Sequence, residues 1–184
     1  ETKTVALTVT VSAFALPGTE DPLSLVVTSN SDPGVTNNAV VYTLVGSTNL
    51  PPDVSGAVPS KTRLFPPNGK FEEVDIDGVT DPDGDSVTIT IESIRQDEPV
   101  DAAGDGATCP DAGGVGTPTA MLRAERAGGG DGRIYEIVFT ADDGRGGTAT
   151  GTVRVCVPHD MGNGNGESCV DSVERYESTV CPTP

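Results

Sequence analysis

The residues best suited to chemistry lie in the stretch TDPDGDSVTITI, Thr80 to Ile91, where Asp81, Asp83 and Asp85 occupy alternate positions just ahead of an alternating polar and apolar run. Three carboxylates on one tight turn can point inward together, which is what a hard cation with six to eight oxygen ligands requires. Aspartate and glycine also cap turns through side-chain to backbone bonds, and that use needs no metal. The cation reading gains from crowding, since Glu72, Glu73, Asp75 and Asp77 precede the three aspartates and only Lys70 stands close by. Unpaired carboxylates so placed repel one another unless a cation or solvent compensates. ADDGRGG adds Asp142 and Asp143 at another strand end, so Asp81, Asp83, Asp85, Asp142 and Asp143 are the expected calcium ligands. The spacing imitates an EF-hand loop as far as Glu92, but Ser86 stands where that loop needs glycine, and a strand pattern follows where it needs a helix.

Other chemistries find less support. The one histidine, His159, has no nucleophile elbow to serve. It follows Cys156 by three residues without the ligand spacing of a zinc site. Carboxylates are so abundant that a glycosidase pair could be drawn almost anywhere, and with no Trp, three Tyr and four Phe there is little to stack on a sugar. The glycine runs AGGGDGR and GNGNG lack the following helix and lysine of a phosphate loop. The expectation is a protein that is not an enzyme and has no small-molecule substrate. A formal charge of −17 repels phosphate backbones, which argues against a nucleic-acid partner. No stretch approaches the ~20 apolar residues that cross a bilayer, so membrane insertion is not expected.

The elements that must position these residues read as strands throughout. TVALTVTVSAFAL alternates from Thr4 to Ala15, with Val5, Leu7, Val9 and Val11 on one face. LSLVVTS and AVVYTLVG follow as second and third strands between turn signals. A proline-rich stretch from Asn49 marks a boundary. Beyond it KFEEVDI, SVTITIESI, TAMLRAER, RIYEIVFTA and TATGTVRVCV are spaced like strands of an antiparallel sandwich. The expected organisation is an incomplete β-section over 1–48, a β-sandwich over 49–158 and a polar tail over 159–184. Four cysteines without paired short spacing point to disulfides and a compartment outside the cytosol. Of three possible pairings, proximity favours Cys169–Cys181 as a staple for the tail, which leaves Cys109 with Cys156.

DPDGDSVTITI followed by YEIVFTADDGRGGTATGTVRVCV resembles the immunoglobulin-like and cadherin-like repeats of large bacterial secreted and surface proteins, over about residues 49–160. FPPNGKFEEVDI and VPHD resemble a subset of such modules near the ends of multidomain surface proteins. The resemblance implies an all-β sandwich that is secreted or held at the cell surface, serving as spacer, adhesin or appendage. Two functions follow as expectations. One is a structural subunit joined to other copies by β-strand pairing through Thr4 to Ala15, because three strands cannot close a core and leave a long uncharged edge. The other is an accessory or adhesive module of a larger secreted protein.

Overall fold

The computed structural model describes residues 20–28, 36–44, 49–101, 104–160 and 169–182, the first two segments by backbone alone. The expected strand from Thr4 to Ala15 lies outside the described residues. Two compact units divide the chain, 1–48 and 49–184. In the first, β1 (Glu20–Thr28) and β2 (Thr36–Leu44) form an antiparallel two-stranded sheet, with Glu20 opposite Leu44 and Thr28 opposite Thr36. The strands expected at LSLVVTS and AVVYTLVG begin earlier than their apolar runs, since Glu20 to Pro22 and Thr36 to Asn38 already pair.

The second unit is all-β, without a helix among its described residues. Its strands are β3 (Val58–Pro59), β4 (Phe71–Val74), β5 (Ile76–Asp77), β6 (Thr88–Gln96), β7 (Ala112–Gly113), β8 (Ala120–Arg123), β9 (Arg133–Asp142), β10 (Thr148–Val157) and β11 (Tyr176–Glu177). One antiparallel sheet runs β10-β9-β6-β11, a second β4-β8-β7, and β3 pairs with β5. The longest strands are those whose sequence alternates most strictly. In β9 the side chains of Tyr135, Ile137, Phe139 and Ala141 are buried while those between them are half-exposed, as a period of two demands. With Val74, Ala120 and Leu122 of the second sheet, and with Ile91, Ile94, Val153, Val155 and Val157, they belong to one core. Each such aliphatic or aromatic side chain contributes about 1.5–3 kcal/mol on burial. A register shift between Ile91 and Ser93 leaves Glu92 exposed and keeps Ile94 inside.

The disulfide pairing corrects the expectation. Cys109 is bonded to Cys181, with Cα atoms 5.5 Å apart, and Cys156 to Cys169, with Cα atoms 5.8 Å apart. A Cys169–Cys181 bridge would only have closed the tail on itself. The tail instead finds its partners in the body. Ser178 N donates to Ile94 O at 3.1 Å, and Ser178 O accepts from Asp111 N and Ala112 N at 2.9 Å each, so one residue stitches β6 to β7. Tyr176 and Glu177 extend the four-stranded sheet opposite Gln96 and Arg95. This course carries Cys181 to the segment ahead of β7, where Cys109 lies, while Cys169 reaches Gly132 and the end of β10. Two disulfides suit an oxidising environment. No helix among the described residues is long and apolar enough to cross a membrane.

Candidate metal centre

Arg133 opens β9 on the same parity as Tyr135, so the alternation that builds the core also turns its guanidinium inward, where it is 0% exposed. A buried charge must be paired. Arg133 Nη1 donates to Asp111 Oδ2 at 2.9 Å and to the Tyr135 hydroxyl at 3.1 Å, and Nε donates to Glu98 Oε2 at 3.1 Å. Two further carboxylates stand at 3.6 Å, Asp105 Oδ2 from Nη2 and Glu125 Oε1 from Nη1. Four acids thus surround one cation.

Each acid is placed by local backbone logic. Asp111 lies one residue ahead of β7, its N–H bonded to Ser178 O and its carbonyl to Arg123 N at 2.8 Å. Asp105 sits between Gly104 and Gly106, whose φ angles of 92° and 103° let the loop turn back, and its Oδ1 accepts from Ala107 N at 3.0 Å. Glu125 follows β8, and its Oε2 accepts from the Thr108 hydroxyl. Glu98, just beyond β6, also accepts from Ala127 N at 2.7 Å. Gln96, wholly buried, donates from Nε2 to Asp111 Oδ2 at 2.7 Å.

Burial pushes Glu125 up to about 7, with the Asp111 carboxylate adding to the rise and the Thr108 hydroxyl opposing it. Burial disfavours the charge on Arg133, yet Tyr135, Asp111 and Glu98 outweigh it and hold the guanidinium firmly protonated. Burial likewise pushes the Tyr135 hydroxyl well above its ordinary value despite Arg133 beside it. Among the described residues, Asp105, Asp111 and Glu125 form the acidic group whose oxygens converge, one from each lying within 4.8 Å of the others. Such a buried cluster could hold a metal ion. A cavity of about 550 Å³, lined in part by Gly104, Asp105, Gly106, Thr108, Glu125 and Arg126, opens beside it.

The aspartates singled out in the sequence lie elsewhere. Asp81 Oδ1 accepts from Asp83 N at 2.9 Å and Asp85 N at 3.1 Å, and Asp83 Oδ2 accepts from Leu50 N at 2.7 Å. Asp142 Oδ1 accepts from Gly144 N at 2.6 Å. Asp143 Oδ1 accepts from Arg145 N at 2.7 Å and Gly147 N at 3.0 Å, and its Oδ2 from Asn49 Nδ2 at 2.6 Å. Burial would raise Asp143, but these donors outweigh it and lower it instead. The two turns do come together: Thr88 pairs with Asp142, and Asp85 Oδ1 meets Arg145 Nε at 3.0 Å. Turn capping occupies one oxygen each of Asp81, Asp142 and Asp143, while Asp81 Oδ2 is buried without a hydrogen-bond partner. His159 stands 3.6 Å from Asp160 and its carbonyl accepts from Arg126.

Sequence reasoning missed Arg133, Glu98, Asp105, Asp111 and Glu125, which come from separate segments. One signal was available, because Arg133 shares its strand parity with four core residues. Comparison with family models, curated proteins and solved structures finds no match to this chain.

Proposed function

We propose that the chain is a non-catalytic structural or interaction subunit of the extracellular space, joined to other copies by β-strand pairing. The second unit, 49–184, is read as an immunoglobulin-like or cadherin-like β-sandwich acting as an acidic spacer. The observation that carries this reading is the hairpin of β1 and β2: among the described residues, each of these strands is hydrogen-bonded only to the other. A two-stranded sheet is at best marginal in water, and its outer edges are templates for a further strand. Thr4 to Ala15 supply a strand of the right pattern. Its Val5, Leu7, Val9 and Val11 would contribute roughly 6–12 kcal/mol if fully buried, of the same order as the ~4–15 kcal/mol cost of association. Assembly on these terms depends on concentration.

The sandwich reading is supported by two antiparallel sheets that contribute to one core. The spacer reading is supported by two disulfides that tie the last strands to the body. A net charge of −17 suits calcium as the stiffening ion. Light scattering on the full chain at rising concentration tests the assembly. The expected result is species well above 18.7 kDa that disappear when residues 1 to 16 are deleted, with the 49–184 unit still folded. A full chain that stays at 18.7 kDa would make it an accessory module of a larger protein, and a truncated chain that assembles as before would remove the strand-pairing mechanism.

A further inference from the structure

We infer that Asp105, Asp111 and Glu125 bind one hard divalent cation of the calcium class, at a centre distinct from the aspartate turns at 81–85 and 142–147. The spacing is the first argument. Calcium–oxygen bonds of roughly 2.3–2.6 Å place opposite ligands about 5 Å apart, and the three carboxylate oxygens lie within 4.8 Å of one another. They already stand at the separations of a coordination shell.

The second argument is what these atoms lack. Asp105 Oδ2, Asp111 Oδ1 and Glu125 Oε1 are buried without a hydrogen-bond partner, although buried polar atoms are as a rule satisfied. Gln96 adds an independent sign. Its Nε2 is committed to Asp111 Oδ2, and its Oε1, a neutral oxygen that owes nothing to the acidic composition, is buried and unpartnered too. Unpartnered buried oxygens on the three converging acids, and on the Gln96 amide bonded to one of them, define a demand for a cation.

Arg133 meets that demand only in part. Its Nε and Nη1 bonds go to Glu98, Asp111 Oδ2 and Tyr135; its Nη2, itself without a hydrogen-bond partner, faces Asp105 Oδ2 as an ion pair at 3.6 Å, and that distance and the 3.6 Å to Glu125 are too long for hydrogen bonds. Arg133 and, 3.9 Å from Glu125 Oε2, Arg123 are two guanidiniums against four carboxylates, which leaves an excess of negative charge that a divalent ion offsets. An all-oxygen donor set selects calcium or magnesium over zinc or copper, and the four cysteines are tied up in disulfides. The larger ion tolerates irregular geometry and six to eight ligands, whereas magnesium demands a near-ideal octahedron. The adjoining cavity of about 550 Å³ has room for the waters that would fill the remaining positions. A bound ion would tie the loop ahead of β7 to the end of β8, which deepens the proposed spacer role and rests on it only for the supply of calcium.

The test is titration of the full chain with terbium, a calcium substitute whose emission is sensitised by a nearby tyrosine, here Tyr135. Isothermal titration with calcium alone gives the stoichiometry. The expected result is one terbium per chain, displaced by calcium at lower concentration than by magnesium. Glu125→Gln should weaken calcium at least tenfold, while Asp83→Ala leaves it unchanged. Folding of each variant is checked by circular dichroism, and Asp105→Asn serves if Glu125→Gln does not fold. Failure of calcium and terbium to bind, or binding lost in Asp83→Ala and kept in Glu125→Gln, overturns the proposal. A chain that binds one terbium but remains monomeric keeps the centre and removes the assembly.

Discussion

Replacing Arg133 with methionine keeps most of the side-chain volume and removes the guanidinium that is paired with Glu98, Asp105, Asp111 and Glu125 together. The wild-type contacts include two charge-assisted hydrogen bonds of 3.1 and 2.9 Å and a third bond to Tyr135, all at a side chain that is 0% exposed. Removing one partner of a buried pair costs about 3–5 kcal/mol, because the remaining charges stay buried without compensation. For a unit of this size that corresponds to a fall in Tm of roughly 10–20 °C. The control is Arg154→Met. Arg154 makes bonds of the same 2.9 Å length to Glu136 and Asp171, but its side chain is half-exposed, and such surface pairs contribute at most about 1 kcal/mol each. Thermal unfolding of both variants in calcium-free buffer compares the two settings directly. If Arg133→Met loses no more than Arg154→Met, the four carboxylates do not depend on the guanidinium and the electrostatic account of the centre fails.

Further outcomes are open to measurement. Peptide mapping without reductant should recover Cys109–Cys181 and Cys156–Cys169; in the chain-entropy model, serine at both members costs about 4 kcal/mol for the first, which spans 72 residues, and about 3 for the second, which spans 13. With Glu125 raised to about 7 from its ordinary 4.5, the folded calcium-free protein binds the extra proton, so its contribution is full below about 4.5 and lost as pH rises to about 7. Urea titrations across that window should show the decline, and a decline equally large in Glu125→Gln would assign it to another group. Gly78→Ala should lower stability by more than about 1 kcal/mol, since φ is 79° and a Cβ would meet Gly56 O at 2.2 Å; unchanged unfolding would show that this turn yields easily.

Much of the strand content was legible because burial and period coincide. TATGTVRVCV became β10 residue for residue, and RIYEIVFTA gained only Asp142. The two-residue strands β3, β5, β7 and β11 carry no period to detect; β7 and β11 form on the edges of the longer β8 and β6, while β3 and β5 pair with each other. The same limit hid the disulfide pairing, which follows from Ser178 joining Ile94 to Asp111 and Ala112 and not from distance along the chain. Asp-rich turns drew attention because their acids lie close together in sequence, and backbone N–H groups of the same turns bind part of those carboxylates. The converging acids are spread from Asp105 to Glu125 and meet through the β-sheet register and the glycine loop at 104–106. Arg133 alone announced them, as a charge on the inward parity of a core strand.

Hydrogen exchange at the amides of Thr4 to Ala15, followed as a function of protein concentration, tests the proposed assembly most directly. Strand pairing between copies predicts protection that rises with concentration, and vanishes on dilution. Protection that is independent of concentration would mean that the strand docks within its own chain, and strand exchange between copies would be contradicted.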